Sequence, residues 1–331
     1  LRPPFLSSCL PASVKDNRPG ATPIPTIRPL LNPPAFTLLP SVAMESAVQH
    51  PLLVTGSYGQ LGRAVLAEAA SRGIPAEGRD LDTLDITDRG AVASWVDAAR
   101  PRAIVNCAAF TAVDDCEEHE ATARAVNSTA VGHLADACNI TGSTLIQIST
   151  DYVFDGTANR PYREDDPVAP AGAYGRTKLL GEESARTADH HLIIRTAWLY
   201  GLGGHHFVGA IRGQIEGGNT RLRVVADQHG SPTFCDDLAT AVLDLAAAEV
   251  EGVIHAVNTG ITSWHGFAAE IVRQLGAEVE VVPVSTDEFP RPAPRPAYSA
   301  LDTTRLEQMI GRGMPPWQAG LERYLEASCA F

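Results

Sequence analysis

From residue 51 onward, short continuous apolar runs alternate with stretches of amphipathic period. That alternation restricts the chain to an α/β fold, a doubly wound parallel sheet covered by helices on both faces. Pro51-Leu52-Leu53-Val54-Thr55 reads as a buried strand, residues 60–71 as a helix, and Ile74 to Glu77 as a second strand. A helix at 88–99 leads into a strand at 104–106, and one long helix from Asp114 to Cys138 leads into a strand at 145–149. A further helix, ending near Thr187, leads into a strand at 192–195. Beyond residue 200 the pattern loosens. Helices are expected near 206–216, 235–249, 263–275 and 316–327, with short strands at 222–225, 253–257 and 279–282. Residues 51–200 should therefore form the sheet domain, and 201–327 mainly a smaller α/β substrate-binding region with a cleft between the two.

Residues 1–43 have a different composition. They hold ten of the 24 prolines, a density that builds neither a packed helix nor a central strand. The stretch is expected to be disordered or a non-native extension, with translation beginning at or near Met44. A natural extension such as an organelle transit peptide is the alternative. Across the whole chain of 331 residues the net charge is −13, which argues against a nucleic-acid surface. No apolar run approaches the ~20 residues a membrane helix needs. The six cysteines form no CxxC, so free thiols in a reducing cytoplasm are expected rather than disulfides or zinc. The adjacent pairs His190-His191 and His205-His206 diverge in direction on a helix or a strand, and no metal site is assigned to them.

Gly56-Ser57-Tyr58-Gly59-Gln60-Leu61-Gly62 joins the first strand to the first helix. Without Cβ atoms the turn lets a pyrophosphate approach backbone, and the helix N-terminus favours its charge. Glycines so spaced often form only a turn; the strand before them and the helix after them favour a dinucleotide. About 20 residues on, the second strand ends at Glu77-Gly78-Arg79-Asp80. An acid there holds ribose hydroxyls and an arginine takes a 2′-phosphate, so Arg79 tilts the choice toward NADPH while Glu77 and Asp80 leave NADH open. Asp85-Ile86 and Cys107-Ala108-Ala109 fall at the carboxyl edge of the sheet, where small side chains could admit an adenine or ribose, or simply pack tightly.

Tyr174-Gly-Arg-Thr-Lys178 places a phenol and an ammonium one helical turn apart on one face. An ammonium beside a phenol favours the phenolate, so the tyrosine is expected to be acidic enough to exchange a proton with a carbonyl or alcohol oxygen. Thr150 ends the strand before it and should present its hydroxyl at the ligand-binding edge. An isolated YxxxK is usually a surface tyrosine and a solvated lysine. A glycine turn, a hydroxyl and a phenol–ammonium pair in this order point instead to carbonyl reduction by a nicotinamide cofactor.

These segments resemble the extended short-chain dehydrogenase/reductase family and, within it, the dTDP-4-dehydrorhamnose reductases. The similarity runs over roughly 51–327 and is carried by residues 54–62, Leu84-Asp85-Ile86-Thr87-Asp88 and residues 105–114. It continues through Ser149-Thr150-Asp151-Tyr152-Val153-Phe154-Asp155-Gly156, Tyr174 to Lys178, residues 195–200, Asp227-Gln228-His229-Gly230-Ser231-Pro232-Thr233 and Arg295-Pro296. The resemblance implies a Rossmann-type fold and reduction of the C4 keto group of dTDP-4-dehydro-6-deoxy-L-mannose to dTDP-L-rhamnose, in rhamnose biosynthesis. It makes Tyr174 the general acid, Lys178 the partner of the nicotinamide ribose, and Thr150 a hydrogen-bond partner of the reacting oxygen. Gly56, Tyr58, Gly59, Gln60, Leu61, Gly62, Arg79, Asp85, Ile86, Ala108, Ala109 and Thr111 fall to the cofactor. Val113, Asp151, Tyr152, Trp198, His206 and Arg295 fall to the substrate. The family usually carries an asparagine before Phe-Val near 205–208; His205-His206 stands there instead, with His206 expected to donate in its place. Some relatives bind magnesium through glutamates at a dimer interface; no such ligands are assigned, and metal-independent chemistry is expected. The protein is expected to be cytoplasmic, a monomer or homodimer, acting on a dTDP-sugar without nucleic acid or membrane.

Two other readings remain. One is a different nucleotide-sugar 4-ketoreductase or an epimerase on the same scaffold, separable by stoichiometric NADPH oxidation with dTDP- rather than GDP- or UDP-sugars. The other is a cofactor-binding regulatory subunit, which would need no complete catalytic set and would co-purify with a partner.

Overall fold

The computed structural model describes residues 50–328; the expectations for residues 1–43 lie outside the described residues. Five strands, β1 (Leu52–Thr55), β2 (Ala76–Arg79), β3 (Ala103–Asn106), β4 (Thr144–Thr150) and β5 (His191–Thr196), join Gly252–His255 in one sheet. Every pairing in it is parallel, and the order is Gly252–His255, β5, β4, β3, β1, β2. The chain therefore winds to one side of β1 and then to the other, and the crevice at that reversal is where open α/β sheets hold ligands.

The strands are apolar throughout because both faces are covered. Leu52, Val54 and Ile146 pack beneath α1 (Gln60–Ser71) and the helix Cys235–Ala247. Leu53, Ile104 and Leu145 point the other way, onto α2 (Arg89–Ala99) and the helices Ala130–Thr141 and Ala173–Ala185. Gly252–His255 and the helix Cys235–Ala247 both come from the stretch beyond residue 200. They complete the sheet domain and its cover, so the chain returns to the sheet after leaving it. The smaller lobe has its own core, with Tyr200, Phe234, Phe267, Trp317 and Tyr324 packed around the parallel pair Arg221–Val225 and Glu280–Val284.

Two elements depart from the sequence reading. Ile74 does not start β2. Its N–H donates to the Ala69 carbonyl and that of Gly73 to the Ala70 carbonyl, so Ile74 is the apolar residue that closes α1. The strand begins two residues later. The long helix expected from Asp114 to Cys138 is broken into Asp115–Glu118, Glu120–Arg124 and a wide π turn, Ala125–Thr129, before Ala130–Thr141 begins. Asn127 lies in that turn. Its Nδ2 donates to the Phe110 carbonyl at 3.1 Å and to Thr177 Oγ1 at 3.1 Å, and its Oδ1 accepts from the Phe110 N–H at 2.8 Å. The widened turn aims this amide at the loop after β3, a recurrent use of π bulges.

Candidate active site

A cleft of about 850 Å³ runs along the carboxyl edge of the sheet, from the glycine turn to the smaller lobe. At one end Gly56 has φ +61°, and a methyl there would meet the Ala108 backbone nitrogen at 2.7 Å. At Gly62 a methyl would overlap the Gly56 carbonyl oxygen. The turn and the start of α1 therefore close into a cradle that only glycine permits, which fits a pyrophosphate bound to backbone. Gly59, Gln60 and Leu61 line the same end. Asp85 and Ile86 line its side, with Ala108, Ala109 and Thr111 from the loop after β3.

Two residues assigned to the cofactor do not line the cleft. The Tyr58 side chain is exposed, and its backbone N–H donates to Asp80 Oδ2 at 2.7 Å. Arg79 turns away: its Nε pairs with Glu77 Oε1 at 3.0 Å and its guanidinium stands 5.1 Å from the Trp95 ring centre. Glu77 is itself held by Trp95 Nε1 at 2.7 Å. Asp80, one residue on, does line the cleft.

At the middle, Thr150, Tyr174 and Lys178 come together. The Thr150 hydroxyl lies beside the Tyr174 phenol, and Tyr152 packs edge-on against the Tyr174 ring with centroids 5.6 Å apart. Gly175 lets this helix approach the Asp151–Val153 turn, since a methyl there would overlap the Tyr152 carbonyl oxygen. The expectation that Lys178 makes Tyr174 acidic is not met. Burial raises the phenol above its ordinary value, and the Lys178 ammonium spends itself on the Ile148 carbonyl at 2.6 Å. Desolvation outweighs an ammonium whose charge is aimed elsewhere. The same burial lowers Lys178 to about 8, opposed by Glu182 one turn further along the helix. Glu182 is locked in turn by Arg195 at 2.8 Å and Ser149 Oγ at 2.6 Å.

Asp151 is almost wholly buried. Its Oδ1 accepts from Thr150 Oγ1 at 3.0 Å, its Oδ2 has no hydrogen-bond partner, and burial pushes the carboxyl up to about 6. Gln60 Oε1 and Thr196 Oγ1, on two more residues of the cleft, are likewise buried without a partner. Unmet polar capacity in a concave site suits a ligand rich in hydroxyls and carbonyls.

The far wall belongs to the smaller lobe. Trp198, with φ +49°, lies face to face on Trp264 at 3.5 Å between ring centres, and both line the cleft. Trp264 was missed from sequence because an aromatic at the start of an amphipathic helix reads as core. Val113 and Tyr152 line the same wall with Arg295, whose guanidinium donates to Asp114 Oδ1 at 2.9 Å. His206 is not there. It accepts from the Gly209 N–H at 3.2 Å as the helix cap and meets the Tyr324 hydroxyl at 3.2 Å through Nε2, while His205 lines the cleft. The register of the following helix, Phe207–Glu216, turns the second histidine inward as its cap. Among the described residues no group of three or more His, Cys, Asp or Glu could hold a metal ion, and Cys107, Cys116, Cys138 and Cys235 are free.

The family described as the RmlD substrate binding domain matches residues 50–329. A Streptomyces griseus protein named dTDP-4-dehydrorhamnose reductase is 44% identical over 285 residues, 84% of this chain and 93% of its own length. The chain belongs to the dTDP-4-dehydrorhamnose reductase family. Several of its relatives in that family are named reductases. A crystal structure of the Bacillus anthracis dTDP-4-dehydrorhamnose reductase in complex with NADP superposes with a TM-score of 0.82 at 36% identity, covering 84% of this chain and 99% of that one. A Streptomyces antibioticus protein named as a probable dTDP-4,6-dihydroxy-2-methyloxan-3-one 4-ketoreductase is 42% identical over 277 residues, 81% of this chain and 92% of its own length. The six-stranded parallel sheet and the family membership together establish the Rossmann-type fold expected from the alternation of strands and helices. No helix among the described residues is long and apolar enough to cross a membrane.

Proposed function

We propose that the protein reduces the C4 keto group of dTDP-4-dehydro-6-deoxy-L-mannose with NAD(P)H, giving dTDP-L-rhamnose. The observation that carries this reading is one continuous cleft with a glycine cradle at one end and Thr150, Tyr174 and Lys178 at its middle. The names of the relatives support the substrate class. A reduced nicotinamide, when bound, supplies the hydride.

The chain's own residues handle the proton. Burial keeps Tyr174 protonated near neutral pH, the state a proton donor to a carbonyl oxygen requires. Thr150, beside the phenol at the end of β4, holds the same oxygen. Donation leaves a phenolate on Tyr174, one helical turn from Lys178. Lys178 also takes the nicotinamide ribose. Gly56 to Gly62, with Asp85, Ile86, Ala108, Ala109 and Thr111, hold the dinucleotide. Val113, Asp151, Tyr152, Trp198 and Arg295 hold the dTDP-sugar, joined by Trp264 and His205. In this reading residues 51–200 serve mainly the cofactor and 201–327 mainly the substrate. The protein works in the cytoplasm as a monomer or homodimer, without nucleic acid.

The test follows NADPH and NADH consumption on enzymatically made dTDP-4-keto sugar, with the product identified by NMR. One cofactor oxidised per sugar, and dTDP-L-rhamnose formed, is the expected outcome. Oxidation with GDP- or UDP-keto sugars but none with the dTDP-sugar would sink the proposal. The Streptomyces antibioticus relative favours one second reading, 4-keto reduction of a different dTDP-sugar. The same assay decides it by product structure.

A further inference from the structure

We propose that Asp80 makes this protein favour NADH over NADPH, by placing a carboxylate where the adenosine ribose of the cofactor must lie. The inference rests on the reading that the cleft holds a nicotinamide dinucleotide.

The end of β2 is tied to the glycine turn by two bonds. The Ser57 N–H donates to the Arg79 carbonyl at 3.2 Å, and the Tyr58 N–H donates to Asp80 Oδ2 at 2.7 Å. Asp80 Oδ1 accepts from the Leu81 N–H at 2.8 Å, so both oxygens are fixed beside the pyrophosphate cradle, on a half-buried side chain that lines the cleft. A carboxylate at this position of a βαβ unit accepts from the ribose 2′-hydroxyl. A 2′-phosphate brings negative charge to the same oxygens and is repelled.

Among the described residues no lysine or arginine that lines this end of the cleft offsets that repulsion. Arg79 is paired with Glu77 and stacked on Trp95. Arg63, in the first turn of α1, donates through Nε to the Tyr58 carbonyl at 2.7 Å and does not line the cleft. Among the described residues the only lysine and arginine that line it are Lys178 and Arg295. Both are engaged away from this end, with the Ile148 carbonyl and Asp114. The residue after Asp80 is Leu81, 74% exposed and at the cleft, where a guanidinium would be needed to receive a phosphate. The second acid on this side is Asp85.

The test is equilibrium binding of NADH and NADPH to the full chain by fluorescence titration without sugar, alongside kcat/KM with each cofactor. The wild type should bind NADH about tenfold more tightly than NADPH, the scale of one close like-charge contact. Asp80→Asn keeps an acceptor for the Tyr58 N–H and removes the charge. It should shift the NADH-to-NADPH affinity ratio about tenfold toward NADPH. Adding Leu81→Arg should reverse the preference. Equal binding of the two cofactors by the wild type, or a preference for NADPH, overturns this inference alone. So does an Asp80→Asn variant that weakens both cofactors equally. Failure to bind either dinucleotide overturns this inference and the proposed function together, whereas an NADH preference without turnover of the dTDP-sugar overturns only the latter.

Discussion

The carboxyl edge of the sheet and the wall of the smaller lobe line one cleft, yet they are built by different means. At the edge, each side chain is delivered by a regular element: Thr150 by the end of β4, Tyr174 and Lys178 by one helix face, the glycines by the turn into α1. At the wall, the groups meet through long-range contacts. Trp198 rests on Trp264, Arg295 is held by Asp114, and the Thr233 N–H donates to the Trp198 carbonyl. The edge is preorganised by local geometry and should set the chemical step. The wall is assembled by packing and should set how tightly the sugar nucleotide is held.

That division can be broken by mutation. The largest effect is expected at the edge. Tyr174→Phe removes the proposed proton donor, and turnover should fall by about 10²–10⁴-fold with dinucleotide affinity nearly intact. Normal turnover by this variant would remove Tyr174 from the mechanism.

Asp151 sits where edge and wall join. Its carboxyl titrates near 6 in the fold against 3.8 in an unfolded chain, so the native state binds more protons between those values. Its stabilising contribution is fully present below about pH 3.8 and is lost as pH rises through about 6. Asp151→Asn removes that loss. The melting temperature of the variant relative to wild type should therefore rise from pH 5 to pH 8, by the equivalent of about 1.4 kcal/mol. A pH-independent difference would mean the carboxylate is not desolvated. The variant should also turn over poorly, since the orphaned Oδ2 faces a site with unmet polar capacity.

Trp264→Leu should raise KM for the sugar nucleotide up to about tenfold and leave kcat within about twofold, because it removes the ring that holds Trp198 in place. A fall in kcat with KM unchanged would show that the wall takes part in the chemical step after all. His206→Ala should have the smallest effect, about 1 kcal/mol of stability from the lost cap, with both kinetic constants unchanged. A several-fold rise in KM would return His206 to the pocket.

Much of the edge was legible in the sequence because regular structure converts spacing into direction. A Tyr and a Lys four apart share a helix face, and glycines between a strand and a helix announce a close turn. The boundaries were less legible: Ile74 has the composition of a strand residue, and only its bond to Ala69 shows that it ends α1. Nor does composition reveal that Ala125–Thr129 widens into a π turn, since the turn answers to Phe110 and Thr177, distant in the chain.

The sequence by itself determined the parallel sheet, the order of its units along the chain and the shared helix face of Tyr174 and Lys178, all consequences of short-range periodicity and of backbone sterics at glycine. Only the tertiary structure decided which charges oppose one another. Arg79 and Asp80 are neighbours in sequence, and side-chain packing sent one to Trp95 and the other to the cleft. Lys178 lies one turn from Tyr174, and burial still raised the phenol. Desolvation and pairing depend on what surrounds a group from every side, and that is set by the fold as a whole rather than by spacing along the chain.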